Sequence, residues 1–142
     1  MKTSIFLFLI AITPFISQAQ TLHLILVSDY GNKDFGMISL KDEEMIGTMF
    51  KKIGGQIDYN LQTAYVNKNT KEGFTVNAVW KALKDTSIHP KDIVVFYYSG
   101  FGAYSPKSAL PSLQLDNSSL LSLNKYTLLP LDEIAGFPQT KG

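Results

Sequence analysis

A chain of 142 residues, 45% apolar and 18% charged, is sized for one folded domain and is too apolar to remain disordered. Thirteen basic and twelve acidic side chains leave a net charge of +1, which offers no footprint for nucleic acid or an anionic membrane surface. The absence of cysteine excludes disulfides, thiolate metal sites and thiol catalysis, and all thirteen basic residues are Lys. Any carboxylate- or phosphate-binding site must therefore work without the two-pronged grip of Arg.

The first nineteen residues read as an address. Lys2 precedes an apolar run from Ile5 to Ile12, and Ser17-Gln18-Ala19 places small residues at the third and first positions before a cut. This pattern predicts a signal peptide cleaved after Ala19, with a secreted or periplasmic domain over residues 20–142. The run is shorter than the ~20 apolar residues of a stable bilayer span, so no membrane attachment is expected after cleavage.

Leu22–Val27 is a compact apolar run ending in the turn cluster Ser28-Asp29-Tyr30-Gly31-Asn32, which predicts a parallel strand buried on both faces. Over residues 39–53 the apolar period becomes helical, with Met45, Ile46, Met49, Phe50 and Ile53 on one face. Ser39 and Asp42 resemble a capping box, and Gly54-Gly55 supplies a stop. Alternation of Ile57, Tyr59, Leu61 and Tyr65 predicts a half-covered second strand, and Asn67–Gly73 a loop. Phe74, Val76, Val79, Trp80 and Leu83 give a second helix, and Ile93–Tyr98 is the most apolar strand of the mature chain. Farther on, the pattern predicts a short hairpin around Leu113–Leu115 and Leu120–Leu123. A short helix is expected within Leu129–Phe137, with Pro130 at its start and Asp132-Glu133 in its first turn. Alternating strands and helices predict an α/β fold with a mainly parallel sheet.

Function in such sheets gathers at the carboxyl ends of the strands, here Asp29-Tyr30 and Ser99-Gly100-Phe101-Gly102. The segment Pro90–Gly102, PKDIVVFYYSGFG, resembles the caspase and metacaspase stretch in which an apolar strand runs into Ser-Gly-His-Gly. LILVSDYGN resembles that family's first strand and turn, the helix from Asp42 to Gly54 its next element, and YTLLPLD at Tyr126–Asp132 its short Leu-Pro-x-Asp segment. The resemblance implies a caspase-like three-layer α/β/α sandwich with a mainly parallel sheet, incomplete at its C-terminal side. It also implies cysteine endopeptidase ancestry, in which a Cys attacks the peptide carbonyl and a His protonates the leaving amine.

Phe101 occupies the expected His position and has no titratable proton. The Cys, expected about 50 residues after that position, falls past Gly142. The chain is therefore expected to be proteolytically inactive, a binding or regulatory pseudoenzyme or a relic. The alternative is an N-terminal fragment of a caspase-like cysteine endopeptidase whose Cys-bearing strand lies beyond this chain. Ser99 lacks the Gly-x-Ser-x-Gly elbow, and His89 and His23 sit at the opposite strand ends, so no Ser-His pair is expected.

Metacaspases hold a basic side chain with acidic and hydroxyl groups, and Asp42 and Ser99 resemble those positions as a residual substrate-binding pair. The plain readings are a helix-start carboxylate for Asp42 and a turn hydroxyl for Ser99. No cofactor or metal is expected. Expected partners are a peptide or protein ligand, or a second copy meeting an exposed sheet edge. An unrelated anion-binding α/β domain is disfavoured, because the turn after the first strand lacks the G-x-G-x-x-G spacing.

Overall fold

The computed structural model of the protein describes residues 20–34, 36–104, 109–115 and 127–137. The expected signal segment and the expected return strand at Leu120–Leu123 lie outside these residues.

The chain order is β1 (Thr21–Ser28), α1 (Gly36–Gln56), β2 (Asn60–Val66), α2 (Val76–Asp85) and β3 (Ile93–Ser99). Then follow β4 (Gly102–Ala103), β5 (Ser112–Gln114), β6 (Leu128–Pro130) and α3 (Leu131–Ala135). β1 is the centre of a parallel sheet of order β2-β1-β3, and all eight of its residues are buried, as its largely apolar sequence favours. The register runs without a bulge from Thr21 opposite Asn60 to Val27 opposite Val66, and from Leu22 opposite Ile93 to Ser28 opposite Ser99.

Strand alternation assigns the two faces. Leu22 and Leu26 lie under Gly54 and Gly47 of α1. Ile25 and Val27 join Val66, Phe74, Ala78, Val79 and Leu83 in the core beneath α2. The two helices therefore cover opposite faces of the sheet. Leu113, Leu115 and Leu129 extend the α2-side core into the small antiparallel sheet of order β4-β5-β6. Burying a Leu or Val of this kind stabilises by about 1.5–3 kcal/mol against leaving it in water.

α1 departs from its sequence reading. It begins at Gly36, one turn before the expected capping box, so Ser39 and Asp42 lie inside the helix and do not cap it. Gly36 enters against the Tyr30 backbone, where an added Cβ would lie 2.6 Å from the carbonyl oxygen. The sheet-facing row is Gly36, Ser39, Leu40, Glu43, Ile46, Gly47, Phe50 and Gly54, all buried or half-buried, whereas Met45 and Met49 are 62% and 42% exposed. The expected apolar face was thus turned outward by part of a turn, because two glycines and a serine occupy the closest approach to the sheet.

Gly54-Gly55 does not stop α1. Gly54 is buried 3.3 Å (as an added Cβ) from the Tyr59 carbonyl oxygen, and the helix continues to Gln56. Asp58, at φ 58°, makes the left-handed turn, and Tyr59 N–H bonds Gly54 O at 2.9 Å. β2 consequently starts at Asn60, three residues after the expected Ile57.

α2 follows its pattern closely, with Thr75 Oγ1 accepting from Ala78 N–H at 3.1 Å as the N-cap. β3 pairs only with β1 among the described residues and is half-buried along most of its length. Among the described residues, Ser112–Gln114 of the expected hairpin region forms β5, which lies between β4 and β6. α3 is five residues long with Pro130 at its N-cap, and Phe137 beyond it packs on Trp80 with ring centroids 5.7 Å apart.

Candidate functional site

The parallel register aligns the carboxyl ends of β1 and β3, setting Ser28 beside Ser99. Alternation turns Tyr97, Ser99, Leu26 and Ser28 toward α1. Because α1 begins early, its second turn meets these groups. Ser99 Oγ donates to Asp42 Oδ2 at 3.1 Å and lies 3.1 Å from Ser39 Oγ. Tyr97 also faces Asp42, and its hydroxyl pKa is raised by burial first and then by the nearby Asp42 carboxylate. Asp42 and Ser99, paired from the sequence, are thus brought into direct contact.

The surroundings sharpen the chemistry. Ser39 and Ser28 are fully buried, and Ser28 Oγ has no hydrogen-bond partner among the described residues. Asp42 is half-buried, accepts from the Ser99 hydroxyl, and has no cation paired with it among the described residues. A half-buried carboxylate of this kind has lone pairs left for further hydrogen bonds.

Beyond Ser99 the turn is fixed from below. Tyr98 Oη lies 2.6 Å from both Phe101 O and Gln114 O, and Gln114 N–H donates to Phe101 O at 2.9 Å. The Tyr98 ring fills the space an added Cβ would need at Gly100, so glycine is required there. Burial, and then the Asp29 charge, raises the Tyr98 pKa, keeping the hydroxyl protonated as a donor. Phe101 presents a ring that is 39% exposed at the position where the resemblance expects an imidazole.

Asp29, after β1, is 4% exposed, and its Oδ1 has no partner among the described residues. Burial raises its pKa against the lowering pull of the Asn32 and Gly31 N–H groups and the Lys68 charge. Lys68 itself sits 5.7 Å above the Tyr30 ring.

No protein-family model, curated protein or solved structure matches the chain.

The two histidines are elsewhere. His23 Nε2 lies 3.2 Å from Asp92 Oδ2, and His89 N–H donates to the same oxygen at 2.9 Å. His23 is opposite Val94, five residues from Ser99, or roughly 17 Å along the strand. Neither imidazole reaches Ser99. Among the described residues no cluster of three His, Asp or Glu groups is arranged to hold a metal.

Sequence reasoning missed Ser28, Ser39 and Tyr97 as companions of Asp42 and Ser99. Strand parity carried the signal for Ser28 and Tyr97. Ser39 was hidden by the misplaced helix start.

Proposed function

We propose that this chain is an exported caspase/metacaspase-like α/β domain without peptidase activity, which binds a cationic Lys or Arg side chain at Asp42. The observation that carries the reading is the Asp42 carboxylate, held by the Ser99 hydroxyl and faced by Tyr97 beside buried Ser28 and Ser39, with no cation of its own among the described residues. An ammonium or guanidinium group would add charge-assisted hydrogen bonds to a half-buried acceptor. The strand order β2-β1-β3, helices on both faces and the Ser-Gly-Phe-Gly turn support the family resemblance. Peptide hydrolysis would need a nucleophile and a proton donor together. The chain has no Cys, and both His are tied to Asp92 at the far end of the sheet.

The test is incubation of the purified chain with peptides carrying Lys or Arg before the scissile bond. Binding without turnover is expected, and Phe101→His alone is expected to restore none. Measurable turnover abolished by Ser99→Ala would overturn the reading.

A second reading, an N-terminal part of a caspase-like cysteine endopeptidase, is favoured by β3. Its outer edge is unpaired among the described residues, and Ile93 is 40% exposed there. Mixing this chain with a separately expressed downstream segment would test it: restored cleavage supports the fragment, and its absence supports the binding domain.

A further inference from the structure

The opposite edge of the sheet carries a different feature. β2 is seven residues long, Asn-Leu-Gln-Thr-Ala-Tyr-Val, with no charge, proline or glycine, and its register with β1 has no bulge. Edge strands are normally blunted by one of these devices, and β2 has none. Asn60 N–H donates to Gln20 O at 2.9 Å, so the alternate residues Leu61, Thr63 and Tyr65 turn their N–H and C=O groups away from β1. Among the described residues no strand pairs with that side.

A cleft flanks the strand on each face. Toward α1, a cleft of about 410 Å³ is bordered by Glu43, Glu44 and Lys51. Toward α2, one of about 280 Å³ is floored by Ala64, Ala78 and Ala82 and bordered by Glu72, Asp85 and Lys81. Trp80 and Phe137, which pack together, are not among the residues lining this cleft. A strand laid along β2 would send successive side chains alternately into the two clefts. Four carboxylates and two ammonium groups border them, leaving an acidic excess; Lys81 pairs with Asp85 at 3.0 Å and Glu72 at 3.4 Å, and Glu43 accepts from Asn67 Nδ2 at 3.1 Å.

We infer that the free edge of β2 is a strand-addition site for an extended peptide segment carrying Lys or Arg side chains. Main-chain bonds to Leu61, Thr63 and Tyr65 supply the affinity, and the carboxylates select basic residues. A second copy is disfavoured as occupant, because edge-to-edge pairing would bring the same acidic clefts together.

The test is amide hydrogen exchange on the full chain with acetyl-Thr-Lys-Val-Lys-Val-Lys-Thr-amide. At peptide concentrations up to about 1 mM, exchange at Leu61, Thr63 and Tyr65 is expected to slow by about tenfold or more. The same peptide with Glu for Lys, or N-methylated on alternate amides, is expected to give no protection. Thr63→Pro removes an outward N–H at an edge position that tolerates proline and is expected to abolish the effect while β1 stays protected. Should that variant unfold, Glu44→Lys with Asp85→Lys changes two exposed side chains and is expected to weaken protection by about tenfold or more. Unchanged exchange, equal protection by the Glu peptide, or protection that rises with protein concentration alone would overturn the inference. The last outcome would assign the edge to a second copy.

Discussion

Replacing Asp92 by alanine removes one carboxylate and leaves three donors without it. Asp92 Oδ1 accepts from Thr21 N–H at 2.9 Å, while Oδ2 accepts from His89 N–H at 2.9 Å and contacts His23 Nε2 at 3.2 Å. Its side chain is 2% exposed and that of His23 is 5% exposed, so water replaces these bonds poorly. Hydrogen bonds to a charged group contribute about 1.5–3 kcal/mol each, and the three share one site, so their sum is an upper bound. The loss expected for Asp92→Ala at neutral pH is therefore at least that of one such bond, about 1.5–3 kcal/mol.

The pH dependence follows from the same contacts. Burial pushes the Asp92 pKa up, but the His89 and Thr21 N–H groups and the His23 ring outweigh it and hold the value below the usual 3.8. A depressed carboxylate stabilises the fold above its unfolded value and loses that contribution as pH falls through its folded value. The deficit of the variant should therefore be full above 3.8 and shrink below it. Urea unfolding of both proteins across this range measures the difference. A deficit under about 1 kcal/mol at neutral pH, or one that is constant into strong acid, would refute the reasoning.

Asp29 should behave in the opposite sense. Its raised pKa means the folded state resists ionisation, so stability is lost as pH rises through the folded value. Asp29→Asn is expected to stabilise at neutral pH and to have no benefit well below 3.8, as thermal or urea unfolding would show. Leu24→Ala, at a fully buried position of β1, should cost about 2–5 kcal/mol, whereas Met45→Ser should stay within about 0.5 kcal/mol. A large loss at Met45 would contradict the outward rotation of α1. Gly36→Ala should destabilise by more than about 1 kcal/mol in the same assay, because its Cβ would meet the Tyr30 backbone.

The parallel sheet was legible because β1 is apolar without alternation and β3 nearly so, with turn residues and a helical period between them. α2 was legible for the same reason, with Val79 and Leu83 recurring at helical spacing, whereas its Thr75 cap was not read from the sequence. α1 was legible as a helix but not in its rotation. Its closest contacts use Gly47, Gly54 and Ser39, and small residues give no apolar signal although they let the helix approach Leu22 and Leu26. The three short strands β4–β6 are two or three residues long, below the length at which period-2 alternation can be read.

At the site, the pairing of Asp42 with Ser99 came from motif resemblance, and the contact between them depends on tertiary structure. Strand parity selects Tyr97, Ser99 and Ser28 for one face, but only the actual start of α1 at Gly36 brings Ser39 and Asp42 onto them. The polar edge of β2 was likewise invisible, because an uncharged strand reads the same whether its outer side is paired or free.

The central claim is that Asp42 is a receptor for a cationic side chain, and calorimetric titration with acetyl-Ala-Arg-amide tests it most directly. This ligand is too short to add a strand along β2, so it reports on Asp42 alone. The account predicts saturable binding to the wild-type chain that weakens by about tenfold or more, or about 1.4 kcal/mol, in Asp42→Asn. Equal affinity in the two proteins, or no binding to either, would contradict it.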